Sequence, residues 1–159
     1  MDQRVRKTGM PKPPALPGGE TLTATDELVV LVVGDSDRLL PSLGPYCDFF
    51  RVRMLTAAAD EHLPQVLRDE RPIAVVGEID GDVEEGCVLL TAVASYDPTL
   101  PLLMILRAGG RLMAAMETAR QALRVRHLLT STSLPMQGDL VSFLATAIMR
   151  SGRANFMPV

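Results

Sequence analysis

The sequence contains no tryptophan and only two cysteines, two histidines and two lysines in 159 residues, and each scarcity closes off a class of chemistry. Cys47 and Cys87 cannot form a disulfide framework and suit a reducing cytoplasm. His62 and His127 stand far apart with no partner at ligand spacing, so a zinc site or a serine or cysteine triad lacks its residues. Both lysines, Lys7 and Lys12, precede residue 13, which removes every mechanism that needs a lysine inside the folded domain. Long apolar runs are missing as well. The most apolar stretch, Val88 to Leu106, is interrupted by Asp97, Pro98 and Pro101, and no N-terminal apolar run precedes a cleavage site. The expectation is a chain with neither membrane span nor signal peptide.

What is present is the composition of one globular domain, 47% hydrophobic and 22% charged. At this length folding buries roughly two-thirds of the unfolded chain's surface, so a core needs no metal or disulfide. The net charge of -3 conceals a segregation: residues 26–100 carry 15 acids against 5 arginines, and residues 101–159 carry 7 arginines against 2 acids. Such a lopsided domain suits an oriented encounter with a protein partner and argues against nucleic acid, which would want a net basic domain.

Residues 1–25 hold Pro11, Pro13, Pro14, Pro17 and the pair Gly18-Gly19 with almost no periodic apolar residues, and read as a flexible basic tail. From residue 26 to 150, strand-length apolar runs alternate with amphipathic segments. The runs are 28–33, 51–55, 73–76, 102–106 and 127–130; the first, third and fourth lack alternation, which predicts central strands covered on both faces. A first helix is expected over Asp37–Phe50, broken or kinked at Gly44-Pro45. Asp60 is the expected cap of a second helix facing inward through Leu63, Val66 and Leu67, and Gly86–Ser95 fits a third. Arg111–Arg126 presents Leu112, Met116, Ala119 and Leu123 on one stripe, and Asp139 is the expected cap of a last helix, with residues 151–159 a C-terminal tail. Met104, Met113, Met116 and Met149 read as core filling. Five βα units with right-handed crossovers predict an α/β fold, a doubly wound five-stranded parallel sheet with helices on both faces and a crevice at the strands' carboxyl ends.

Those ends carry Gly34, Asp35, Ser36 and Asp37 after the first strand, Glu78, Asp80 and Asp82 at the third, Arg107 after the fourth and Ser131 after the fifth. Pro72, Glu78 and Gly86 are spaced six and eight residues apart. This arrangement resembles the receiver domain of bacterial two-component response regulators over about residues 27–150. The resemblance implies a phosphoacceptor position at Glu78, an acidic position at Gly34 beside Asp35, a hydroxyl position at Arg107 or Leu106, a lysine position at Ser131 and an aromatic switch position at Leu128. Four of the five chemical positions have changed type, so the implied form is a degenerate, pseudo-receiver one: no catalysis, no cofactor, no metal expected, and Asp35, Glu78 and Asp80 the sole candidates for Mg²⁺. A glutamate at the acceptor position can mimic phospho-aspartate, but the hydroxyl and lysine that would sense it are gone. The preferred reading is a solvated acid at a strand end, with Arg107 as a partner that replaces the missing cation. The competing reading is an atypical phosphoacceptor or small-anion binder using Asp35 and Asp80 with Arg107 and Arg111, and Asp82 is a further alternative acceptor. The step Gly109-Gly110-Arg111 reads as a plain helix start. Receivers commonly dimerise or signal through the fourth helix, fifth strand and fifth helix. That implies an interaction face within 111–150, with Arg111, Arg120 and Arg124 toward solvent and Leu128 at its strand, for a protein partner or a second copy.

Overall fold

The computed structural model describes residues 27–34, 36–80, 82–107 and 110–152. The segment read as a tail at 1–25, residues 153–159, and the candidate site residue Asp35 lie outside them. The elements alternate without exception: β1 (Val29–Val33), α1 (Ser36–Phe50), β2 (Arg53–Ala57), α2 (Leu63–Glu70), β3 (Ala74–Ile79), α3 (Val83–Tyr96), β4 (Leu102–Leu106), α4 (Gly110–Leu123), β5 (Leu128–Ser131) and α5 (Gln137–Ser151). All pairings are parallel, in the order β2-β1-β3-β4-β5. This is the doubly wound, flavodoxin-like arrangement of receivers, reached because each strand feeds a helix that returns over the sheet.

The three apolar runs without alternation are the three central strands, buried along their whole length. β2 and β5, at the edges, are only partly covered. Side chains still alternate between faces. Val30, Val32, Ala74, Val76, Leu103 and Ile105 pack under α1 and α5, whereas Leu31, Val33, Val75, Leu102, Met104 and Leu106 pack under α2, α3 and α4. Among the described residues no helix is long and apolar enough to cross a membrane.

Several local expectations are overturned. α1 runs unbroken through Gly44-Pro45 and contains Pro41 as well. Both prolines lie on the exposed side, where water reaches the carbonyls that lose a partner, while Leu39, Leu43, Cys47 and Phe50 are buried against the sheet. Gly44, with no Cβ, also relieves the usual restriction on the residue before proline. β2 starts two residues later than its apolar run because Arg51 (φ 58°) and Val52 close the end of α1, donating to the carbonyls of Asp48 and Cys47. Asp60 does not cap α2; its carboxylate accepts from the His62 backbone in the turn before the helix, which starts at Leu63 with Pro64 in its first turn. Asp139 lies inside the first turn of α5, whose N-cap is Met136. α5 runs to Ser151, one residue into the segment read as a tail, and Met149 is 68% exposed, not core. α3 begins at Val83 because Asp82 accepts hydrogen bonds from the backbones of Glu84 (2.9 Å) and Glu85 (3.4 Å).

Candidate functional site

β1 has β2 on one side and β3 on the other, so the strand order reverses here and a crevice opens at the carboxyl ends. β3 extends past its apolar run, which puts Glu78 inside the strand, in register with Ile105 of β4. Its side chain is only 3% exposed. The expectation of a solvated acid is therefore wrong, and the expected partner is present. Arg107 Nη1 donates to Glu78 Oε2 at 2.9 Å, and Arg38 Nη2, from the first turn of α1, stands 3.9 Å from the same oxygen. A lone carboxylate at this depth would cost several kcal/mol, which fixes the need for these cations. Arg107 is 37% exposed and brings its charge in from the crevice mouth. Its own backbone N–H is anchored on the Ile79 carbonyl at 3.0 Å, so β4 holds the guanidinium over β3. The second oxygen, Glu78 Oε1, is buried and finds no hydrogen-bond partner among the described residues.

Gly34 closes the other side. Its φ of 104° is one that side chains rarely adopt, and a Cβ there would lie 2.5 Å from the backbone carbonyl oxygen of Glu78. The position implied for an acid is thus one where β1 and β3 approach too closely for any side chain. Asp80 is exposed beyond the end of β3. Asp82 is engaged as the cap of α3, which the sequence reading missed in offering it as an acceptor. Behind them, burial and then the Asp82 and Asp80 carboxylates push the Glu85 carboxyl up.

At β5, Ser131 bonds locally and not to this cluster. Its hydroxyl donates to the Ser133 carbonyl at 2.5 Å and accepts from the Ser133 backbone N–H at 3.3 Å. Leu128 is half-buried against the core under α3 and α4. The described residues do not fit the Mg²⁺ that receivers use: Gly34 offers neither ligand nor room, the Arg107 guanidinium sets a positive charge 2.9 Å from Glu78 Oε2, and Asp80 is exposed beyond the strand. Among these residues no three histidines, cysteines or carboxylates converge on a possible metal position. The Gly109-Gly110-Arg111 step lies partly outside the described residues, with Arg111 exposed at the start of α4.

Of the expected interaction face, Arg111 and Arg124 are exposed, but Arg120 is not free. It grips Glu117 through two hydrogen bonds of 2.7 Å and reaches the Val125 carbonyl at 3.2 Å, bracing the end of α4 where Arg124 adopts φ 61°. A groove of about 470 Å³ between β5 and α5 is lined by Arg126, His127, Leu128, Leu129 and Phe143 among others, and Leu129 is 40% exposed there. The two thiols differ. Cys47 is buried, its pKa pushed up to about 11 by burial and then by Asp48, while Cys87 is only half-buried. Arg38 was missed by sequence reasoning. The signal for it was an arginine in the first turn of a helix, where the backbone dipole disfavours a cation unless an acid faces it.

Neither a protein-family model nor a curated protein matches the chain. Among solved structures it is similar to a pilus assembly-related protein from Burkholderia pseudomallei, at 18% identity over 81% of this chain and 95% of that one, with a TM-score of 0.52. It is also similar to a response regulator protein from Burkholderia multivorans, at 18% identity over 76% and 94% of the two chains, with a TM-score of 0.47. The likeness to the first establishes the fold alone: the chain is a five-stranded, receiver-like α/β domain.

Proposed function

We propose that the chain is a non-catalytic, pseudo-receiver signalling domain that acts through protein–protein contact, independently of aspartyl phosphorylation. The observation that carries this reading is the pair between Glu78 and Arg107 at 2.9 Å, with Glu78 3% exposed. A phosphoryl donor or Mg²⁺ would have to displace Arg107 to reach that oxygen, and no lysine exists within residues 13–159 to take over the new charge. Arg107 and Glu78 instead tie the end of β4 to β3, which serves a module that presents a fixed surface.

The surface we assign to that contact lies within 111–150: the β5–α5 groove with exposed Leu129 and Arg126 in its lining, together with the exposed arginines Arg111 and Arg124 of α4 and its end. An acidic protein, or the acid-rich half of a second copy, complements it. The pilus assembly-related fold neighbour makes components of such an assembly the first partners to screen.

The test is to expose the protein to Mg²⁺ with beryllofluoride or a small phosphoryl donor and follow its intact mass and amide NMR spectrum. Both should stay unchanged. A stoichiometric gain of one phosphoryl group would overturn the reading, and its location on Asp80 or Asp35 would establish the competing phosphoacceptor reading.

A further inference from the structure

A groove of about 510 Å³ lies between α2 and α3, on the face of the sheet opposite α1 and α5. Pro64, Cys87, Val88 and Ala92 give it an apolar lining. Asp60, Glu61 and Glu84 stand at its end nearest the strands' carboxyl edge, and Ser95 at the other. At this end burial, and then the Asp82 and Asp80 charges, raise the carboxyl of Glu85, which neighbours Glu84.

The chain itself contains the complement. Residues 4–17, RVRKTGMPKPPALP, carry four bases and no acid. Pro11, Pro14 and Pro17 recur at every third residue, the period that puts side chains on one face of a polyproline II helix. From Pro11 to Pro17 such a helix spans about 19 Å at 3.1 Å per residue. The groove wall along α3 from Glu84 to Ser95 spans about 16 Å at 1.5 Å per residue. Polarity agrees as well. α3 runs antiparallel to the strands, so Ser95 lies at the sheet's amino end, where β1 begins, and residues 18–26 can bridge up to about 30 Å, the width of a small domain.

We infer that residues 4–17 dock in the α2–α3 groove of their own chain, with Pro11, Pro14 and Pro17 on the apolar lining and Arg4, Arg6 and Lys7 at the acidic end. The proline spacing lowers the ordering cost of the segment, and the charges set its direction. This makes the segment a built-in occupant that a basic, proline-rich partner would have to displace. The inference is independent of the crevice and of the β5–α5 face.

Cys87 reports directly on it, because it lines the groove, and buried Cys47 serves as an internal control for folding. The experiment measures Cys87 alkylation by an uncharged reagent in the full chain at low salt, read by mass spectrometry. Reversing the segment's charges (Arg4→Glu, Arg6→Glu, Lys7→Glu, Lys12→Glu) should speed labelling at least fivefold, as should Glu61→Lys with Glu84→Lys. Combining both sets should restore the slow rate. Equal rates in the parent and both reversals would overturn the docking, as would a combined variant as fast as either one. Protection in the parent that rises with protein concentration would instead assign the groove to the segment of a second copy.

Discussion

Glu78 and Ser131 lie in one row across the sheet, each in register with Ile105 of β4, about 9–10 Å apart by strand spacing. Glu78 is buried, and its partner, Arg107, comes from 29 residues away. Ser131 is half-exposed, and its hydroxyl is satisfied two residues on. A site that gathered both ends on one ligand would leave each waiting for it. Here each is paired with a different kind of neighbour, one tertiary and one local, and Glu78 Oε1 alone is left without a hydrogen-bond partner among the described residues. The energetics of the two halves should therefore be separable: large and long-range on the β3–β4 side, small and local at β5.

The largest effect is expected at Gly34. Gly34→Asp would restore an acid at the crevice in sequence, but its Cβ meets the Glu78 carbonyl oxygen and its backbone sits at φ 104°. Overpacking and left-handed strain together should cost about 3–5 kcal/mol, seen as a lower midpoint in urea unfolding with unchanged slope. A variant as stable as the parent would show that β1 can move off β3. Next is Arg107→Ala, which strands the Glu78 carboxylate. Breaking a buried pair costs roughly 3–5 kcal/mol, reduced to about 2–4 here because Arg107 is 37% exposed and water can follow it in. Glu78→Leu with Arg107→Leu should recover most of that loss, since the pair's desolvation cost disappears with its attraction. Failure of the double variant to recover would mean that Arg107 stabilises the domain by some route other than Glu78.

Element order and the split between central and edge strands were legible because burial on both faces writes itself as unbroken apolar runs in β1, β3 and β4. The pairing of Glu78 with Arg107 was legible as well, from opposite charges at neighbouring strand ends. The burial of Glu78 was not, because β3 continues past its apolar run only in the presence of β4, whose Leu106 pairs with Ile79. Gly34 and α1 have the same lesson. A glycine whose reason is a carbonyl 44 residues on, and a helix that carries two prolines because its other face is buried, are tertiary facts with no local signature. The caps misread at Asp60 and Asp139 differ only in which residue the packed helix takes as its first.

An exposed pair at the sheet's other end gives a scale for the buried one. Arg150 of α5 bonds Asp97 at 2.6 Å and also Thr99, which ties α5 to the turn before β4. Burial pushes the Asp97 carboxyl up, but hydrogen bonds from Thr99 and Arg150, with the Arg150 charge, outweigh it and hold the group below the ordinary carboxylate value. A lowered native pKa contributes stability above the unfolded value of about 3.9 and loses it as pH falls through the native one. Arg150→Ala should therefore cost about 0.5–1 kcal/mol at neutral pH, with the difference from the parent shrinking below about pH 4. A cost that is constant between pH 7 and pH 3 would show that packing, not charge, is what Arg150 supplies.

The smallest effect, and the sharpest test of separability, is Ser131→Lys. It places a lysine where the receiver resemblance implies one, on the same sheet face as Glu78 by register. The substitution removes the local bonds to Ser133 and adds a long, hydrated side chain at a half-exposed position, so it should cost less than about 1 kcal/mol. With Arg107 already on the Glu78 oxygen, the new ammonium has no vacant charge to answer, and phosphoryl donors should still leave the mass unchanged. Combined with Arg107→Ala, its effect should be additive to within about 0.5 kcal/mol. If the lysine instead rescued the arginine deletion by more than that, it would have reached Glu78 across the row. The two halves of the crevice would then be coupled after all, and the loss of lysine would be the single change that uncoupled them.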